Sequence, residues 1–68
     1  MKGVVKWFNT QKGYGFIIYD NKEIYVHYSQ ILNKGFKTLS NNEIVEIGNI
    51  VKTENGYIAQ AVNKINCL

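Results

Sequence analysis

The chain has 68 residues, 46% of them hydrophobic, with eight lysines, no arginine, five acids and a formal charge of +3. Its nine isoleucines and nine aromatic residues exclude a disordered polyelectrolyte. The length allows one small domain, residues 1–68, burying only about 60% of the surface its unfolded chain exposes, with a core that supplies roughly 3–5 kcal/mol of net stability. A single cysteine, Cys67, excludes a disulfide framework, and Lys2 and Lys6 interrupt the apolar N-terminal stretch, so it reads neither as a secretory leader nor as a membrane span. The expected location is the cytoplasm, with no membrane partner.

Short β-rich runs separated by turn residues dominate the chain, and no segment sustains helical periodicity for three turns. The first predicted strand covers residues 2–9. Thr10 and Gln11 turn the chain into a second strand over 12–19. Asp20, Asn21 and Lys22 form a hairpin turn, because Asp and Asn tolerate tight-turn backbone angles. A third strand covers 23–28, and a long connection covers 29–42, in which Ser29 is placed to cap a short helical turn ending at Leu32. A fourth strand covers 43–52. Glu54, Asn55 and Gly56 form the last turn, and 57–65 the fifth strand. Five short strands, one long connection and no proline to bar a central position predict an all-β fold, a small closed antiparallel barrel of the oligonucleotide-binding (OB) type.

Charge and aromatic rings share one half of the chain. Residues 1–40 hold six lysines against two acids, residues 41–68 two lysines against three acids, and eight of the nine aromatic residues precede position 37. Alternation along a strand puts Tyr14 and Phe16 on one face of the second strand, and Gly13, Gly15 and Ile17 on the other. It puts Tyr25 and His27 on one face of the third strand, opposite Ile24 and Val26. Two glycines behind two rings suggest a close approach to another backbone, or a sharp bend. Rings at period two fit a buried sheet face as well as an exposed one. Val5, Ile17, Ile24 and Val26 decide the matter, because a barrel has one interior and these aliphatics fill it. The rings then form an exposed cross-strand cluster, which is rare unless it binds something. Trp7 and Phe8 are adjacent, so a regular strand sends them to opposite faces and a bulge would bring both to one side. Of the two, Phe8 is the one expected to be partly buried.

Flat rings beside lysines suit single-stranded nucleic acid: bases stack on aromatics, each worth about 1–3 kcal/mol, and lysines follow the phosphates. A protein-interaction barrel that holds a peptide on the same rings is the alternative, although Lys6 and Lys12 beside the rings favour phosphate. Duplex binding lacks a recognition helix, and paired bases cannot stack on protein rings. Catalysis and metal binding have little to work with, since His27 is the only histidine and Cys67 the only cysteine. The expectation is a protein that is not an enzyme and needs no metal or cofactor.

Residues 12–19, Lys-Gly-Tyr-Gly-Phe-Ile-Ile-Tyr, match the ribonucleoprotein motif K/R-G-F/Y-G/A-F-V-x-F/Y at every position but one, where Ile17 replaces Val. A second motif, Ile24-Tyr25-Val26-His27-Tyr28, follows it. That order, with no helices, separates this chain from the RNA-recognition motif. The chain resembles the bacterial cold-shock proteins over nearly its full length. The densest stretch runs from Gly3 to Leu39, through Val5-Lys6-Trp7-Phe8-Asn9, Val26-His27-Tyr28-Ser29 and Gly35-Phe36-Lys37-Thr38-Leu39. The resemblance implies a five-stranded OB barrel that binds single-stranded RNA and DNA, preferably pyrimidine-rich, as a monomer, and acts as an RNA chaperone that can influence transcription or translation. Carried over residue by residue, it implies a binding face of Lys6, Trp7, Lys12, Tyr14, Phe16, Tyr25, His27, Tyr28 and Phe36, with Phe8 at its margin. Tyr25 and Tyr28 depart from a common Phe, Glu23 from a nearby Asp, and Ile47 from a core Phe. Asn55-Gly56-Tyr57 replaces a turn that often carries a basic residue and Gly-Pro, so the phosphate contact of that loop is expected to be missing unless Lys52 replaces it.

Overall fold

The computed structural model describes residues 1–32 and 38–65. Five strands carry the fold: β1 (Lys2–Asn9), β2 (Tyr14–Tyr19), β3 (Lys22–His27), β4 (Ile44–Thr53) and β5 (Gly56–Lys64), with one 3-10 turn at Tyr28–Gln30. They close into a barrel in the order β1-β2-β3-β5-β4. All neighbours are antiparallel except β3 and β5, which pair in parallel through Ile24–Tyr57 and Tyr25–Ile58. The expected all-β, five-stranded barrel is the observed one, and closure leaves no open sheet edge.

The alternating aliphatics fill the interior. Val5, Ile17, Ile24, Val26, Val45, Ile47, Ala59 and Val62 are each 0–1% exposed. Ile47 thus occupies a core position, as a replacement for an aromatic residue would. The long connection adds Ile31 and Leu39 to the core. Ile31 bridges in parallel to Val62, and the Leu32 N–H donates to the Val62 carbonyl at 2.8 Å.

Three local details differ from the sequence expectation. Strand β2 begins at Tyr14 rather than Lys12, because Gly13 lies in the preceding turn with φ +77° and its N–H donates to the Asn9 carbonyl at 2.7 Å. The β2–β3 turn has two residues, not three: Tyr19 pairs with Lys22, and Asp20 and Asn21 both take positive φ, 53° and 60°. Those angles fit the twist of a tight hairpin, and Asp and Asn adopt them at low cost. The 3-10 turn is capped by His27 and not by Ser29, because the His27 ring nitrogen Nδ1 accepts the Ser29 backbone N–H at 3.2 Å.

Candidate nucleic-acid interface

A bulge builds the site. Val5 pairs with Ile17, yet Trp7 pairs with Phe16, so the β1 register shifts at Lys6. Val5 points into the core, and regular alternation would send Trp7 there too. The extra residue reverses this and turns Trp7 outward beside Phe16. Phe8 then faces Gly15 and packs against the core. The bulge lies one residue earlier than one that would unite Trp7 and Phe8, so these two rings stay on opposite faces; both are partly buried, and of the two Phe8 is the one that packs against the core.

Gly15 makes this packing possible. A Cβ there would lie 2.2 Å from the Trp7 carbonyl oxygen and 2.7 Å from the Phe8 Cα. The close approach of backbones inferred for the glycines behind the rings is therefore present at Gly15. At Gly13 the added atom would meet the Tyr28 ring at 2.7 Å, and the Tyr28 N–H donates to the Gly13 carbonyl at 2.8 Å. Gly13 thus seats the ring of Tyr28 against the β1–β2 turn.

On the outer face, register aligns Trp7, Phe16 and Tyr25 in one row across β1, β2 and β3, with Tyr14 opposite His27 beside it. Ring centroids are 5.5 Å apart for Trp7–Phe16 and 5.9 Å for Phe16–Tyr25. Tyr14 meets Trp7 edge-on at 5.6 Å and stacks on Tyr25 at 5.8 Å with planes 28° apart. His27 and Tyr28 are 4.5 Å apart. Edge-to-face and offset contacts of this kind hold each ring in place and leave part of it in solvent. Trp7, Tyr14, Phe16, Tyr25 and His27 are each half-buried, and Tyr28 is 48% exposed. None of the six belongs to the buried core. Because Nδ1 of His27 is taken up by Ser29, the neutral ring carries its proton on Nε2.

Lysines flank the rings unequally. The Lys6 ammonium donates to the Glu23 carboxylate, and this ion pair spans β2. Both side chains are about half exposed, 49% and 53%, so the pair holds weakly and a phosphate can compete for Lys6. Lys12 is exposed at the turn, its backbone N–H held by the Asn9 side chain at 2.9 Å. Phe36 lies outside the described residues. Among the described residues no group of histidine, cysteine and carboxylate side chains could hold a metal ion, and no helix is long and apolar enough to cross a membrane.

A family model described as the 'Cold-shock' DNA-binding domain matches residues 1–65. The chain belongs to the cold-shock domain family. It is 44% identical over 64 residues to the cold shock-like protein CspLB of Listeria monocytogenes, covering 93% of this chain and 96% of that one. It is 50% identical over 50 residues to the cold shock-like protein CspI of Escherichia coli K12, covering 71% of each chain. A cold shock-like protein of Thermotoga maritima is 51% identical over 47 residues, covering 68% of this chain and 71% of its own. Cold-shock domains bind single-stranded nucleic acid and are not enzymes, and this chain is a nucleic-acid-binding protein of that kind.

Sequence reasoning placed the rings but not the wall beside them. A cleft of about 550 Å³ opens next to Phe16 and Tyr25, and its far side is built by Thr53, Asn55, Tyr57 and Ile58 of the β4–β5 hairpin. Only the parallel β3–β5 pairing brings that hairpin there. The Asn55-Gly56 turn was the available signal, because a two-residue turn at 54–55 fixes Lys52 opposite Tyr57.

Proposed function

We propose that the ring row is the binding platform, and that the protein acts on it as an RNA chaperone without ATP. Lys6 and Lys12 collect the phosphates. Trp7, Tyr14, Phe16, Tyr25, His27, Tyr28 and Phe36 stack successive bases, with Phe8 at the margin. The observation that carries this reading is the continuous row Trp7–Phe16–Tyr25 on the outside of a barrel already filled by aliphatics. Stacking of this kind reads little sequence, since every base offers a flat face, so RNA and DNA both serve and a pyrimidine preference is modest. Paired bases cannot use the rings. The protein therefore draws marginal RNA structure toward open strands by mass action, and affects transcription or translation through that shift. One platform per chain suits a monomer acting in the cytoplasm.

Trp7 is the only tryptophan and reports directly on the platform. Its fluorescence is titrated with a pyrimidine-rich single strand and with the matching duplex at two salt concentrations. Quenching by the single strand alone is expected, with a log–log salt slope of about −0.7 for each phosphate contacted. Equal quenching by the duplex, or no response to either, overturns the platform.

A further inference from the structure

Of the nine asparagines in the chain only Asn55 is followed by glycine; the others precede Thr, Lys, Asn, Glu, Ile or Cys. The fold requires that glycine. Gly56 closes the two-residue β4–β5 turn opposite Thr53 at φ +135°, a conformation that residues with a Cβ rarely adopt. At Gly3, Gly13, Gly15 and Gly48 an added Cβ would lie under 3.0 Å from a neighbouring atom, whereas at Gly56 it would meet nothing within 4 Å. That flank of the turn is open, and no side chain crowds the Gly56 nitrogen from it.

Asn55 is exposed in the same turn. Its backbone N–H donates to the Thr53 hydroxyl at 3.2 Å, and that hydroxyl donates to the Gly56 carbonyl at 3.0 Å. These bonds hold the backbone, whereas the Asn55 side-chain amide has no hydrogen-bond partner among the described residues. An unheld amide beside an uncrowded backbone nitrogen is the arrangement from which asparagine cyclises, and asparagine counts among the thermolabile residues. The Gly56 nitrogen gives up its proton and bonds to the Asn55 Cγ, while the side-chain nitrogen takes up a proton and leaves as ammonia. Water then opens the cyclic imide. Cleavage of the new bond gives aspartate. Cleavage of the original peptide bond gives isoaspartate, whose main chain runs through Cβ and Cγ and is one methylene longer. Either way a neutral amide becomes a carboxylate.

We infer that Asn55 is a site of spontaneous deamidation whose acidic products weaken single-strand binding. The effect on binding rests on the platform reading above; the modification itself does not. Asn55 and Glu23 both line the cleft of about 550 Å³ beside Phe16 and Tyr25, so a carboxylate at position 55 joins Glu23 at the margin of a surface for a polyanion. Isoaspartate adds a second effect. An extra methylene in a two-residue turn opposes the Thr53–Gly56 and Lys52–Tyr57 register, from which β5 goes on to pair with β3.

The test holds the folded chain at mildly alkaline pH, below its melting temperature, and follows it by intact mass and peptide mapping. Conversion of amide to acid is expected first at Asn55, ahead of every other asparagine, and should be strongly slowed in Asn55→Gln, whose longer side chain closes a larger ring. Asn55→Asp supplies one product directly. It should lower single-strand affinity about 2- to 3-fold at low ionic strength, as for one added charge about 10 Å from a phosphate in water, and match the unmodified chain near about 1 M salt. The isoaspartate fraction, separated by ion exchange, should also melt below Asn55→Asp. Conversion no faster at Asn55 than elsewhere, or only once the chain is unfolded in urea, overturns the site. Full affinity of Asn55→Asp at low salt overturns the effect on binding while the platform stands. If the unmodified chain binds no single strand, the platform falls and the effect on binding with it, and the mass readout alone decides the modification.

Discussion

Trp7 and Phe16 face each other across β1 and β2 with ring centroids 5.5 Å apart, although Val5, two residues before Trp7, is fully buried. The register shift at Lys6 reconciles the two, so one inserted residue divides the strand into a core-forming half and a ligand-facing half. The rings are consequently separable from the core. Phe16→Ala combined with Tyr25→Ala should abolish single-strand binding and leave a cooperative thermal transition by circular dichroism. Ile17→Ala, next to Phe16 in β2 but fully buried, should instead cost about 2–5 kcal/mol, comparable to the whole stability of so small a core at roughly 3–5 kcal/mol. Unfolding of the double ring variant would place the rings in the core and sink this division.

Gly15 tests the same construction from behind. An added methyl would fall within 3 Å of the Trp7 carbonyl, the Phe8 Cα and the Phe8 ring, and two of these are backbone atoms that cannot rotate away. Gly15→Ala should therefore destabilise by about 1–3 kcal/mol through overpacking and weaken binding by displacing Trp7. Urea denaturation gives the first quantity and fluorescence titration the second. A variant as stable as the parent would mean that β1 and β2 are not this close.

Much of this was legible in the sequence because it is local. Alternation assigned Ile17, Ile24 and Val26 to the interior and Tyr14, Phe16, Tyr25 and His27 to the exterior, and each strand was placed within two residues of its observed bounds. The motif over 12–19, the second motif that follows it over 24–28 and the matching blocks from Gly3 to Leu39 then pointed to the family. Long-range facts were not legible. Nothing near Lys6 signals that the bulge falls there, since it is fixed by how β1 must register against β2. Nothing near Tyr25 signals Ile58, because parallel β3–β5 pairing joins segments more than 30 residues apart. The cap was misassigned to Ser29 because serine is the usual residue for it, whereas His27 also carries an acceptor and already stands in extended backbone, with φ −108° and ψ 149°.

The Lys6–Glu23 pair places one carboxylate at the edge of a surface meant for a polyanion. Glu23→Gln should release Lys6 and remove the nearest negative charge. Affinity for a short single strand should rise a few-fold at low ionic strength, and the gain should vanish near 1 M salt, where the screening length falls to about 3 Å. Stability should change by less than about 0.5 kcal/mol, as for other exposed pairs. A loss of affinity in the variant would show that the carboxylate accepts a hydrogen bond from a base.

Among the described residues, Ala61 is the one non-glycine residue inside a strand with positive φ. It sits in β5 at φ +56°, between Gln60 and Val62, which pair with Asn49 and Ile47 on either side of Gly48. For an alanine that conformation costs about 1–2 kcal/mol. Glycine removes the cost and returns about 0.4–1 kcal/mol of it through a freer unfolded chain, so Ala61→Gly should stabilise by about 0.5–1 kcal/mol. Asparagine tolerates the left-handed region without glycine's entropy, and Ala61→Asn should match or exceed that gain if its side chain clears Gly48, whose own added Cβ would lie 2.7 Å from that of Ala61. Ala61→Val should lower stability, because a β-branched side chain is least suited to positive φ. Thermal melts of the three variants order them as Asn and Gly above the parent and Val below it. The reverse order would mean that the strand straightens at this position and that no strain is held there.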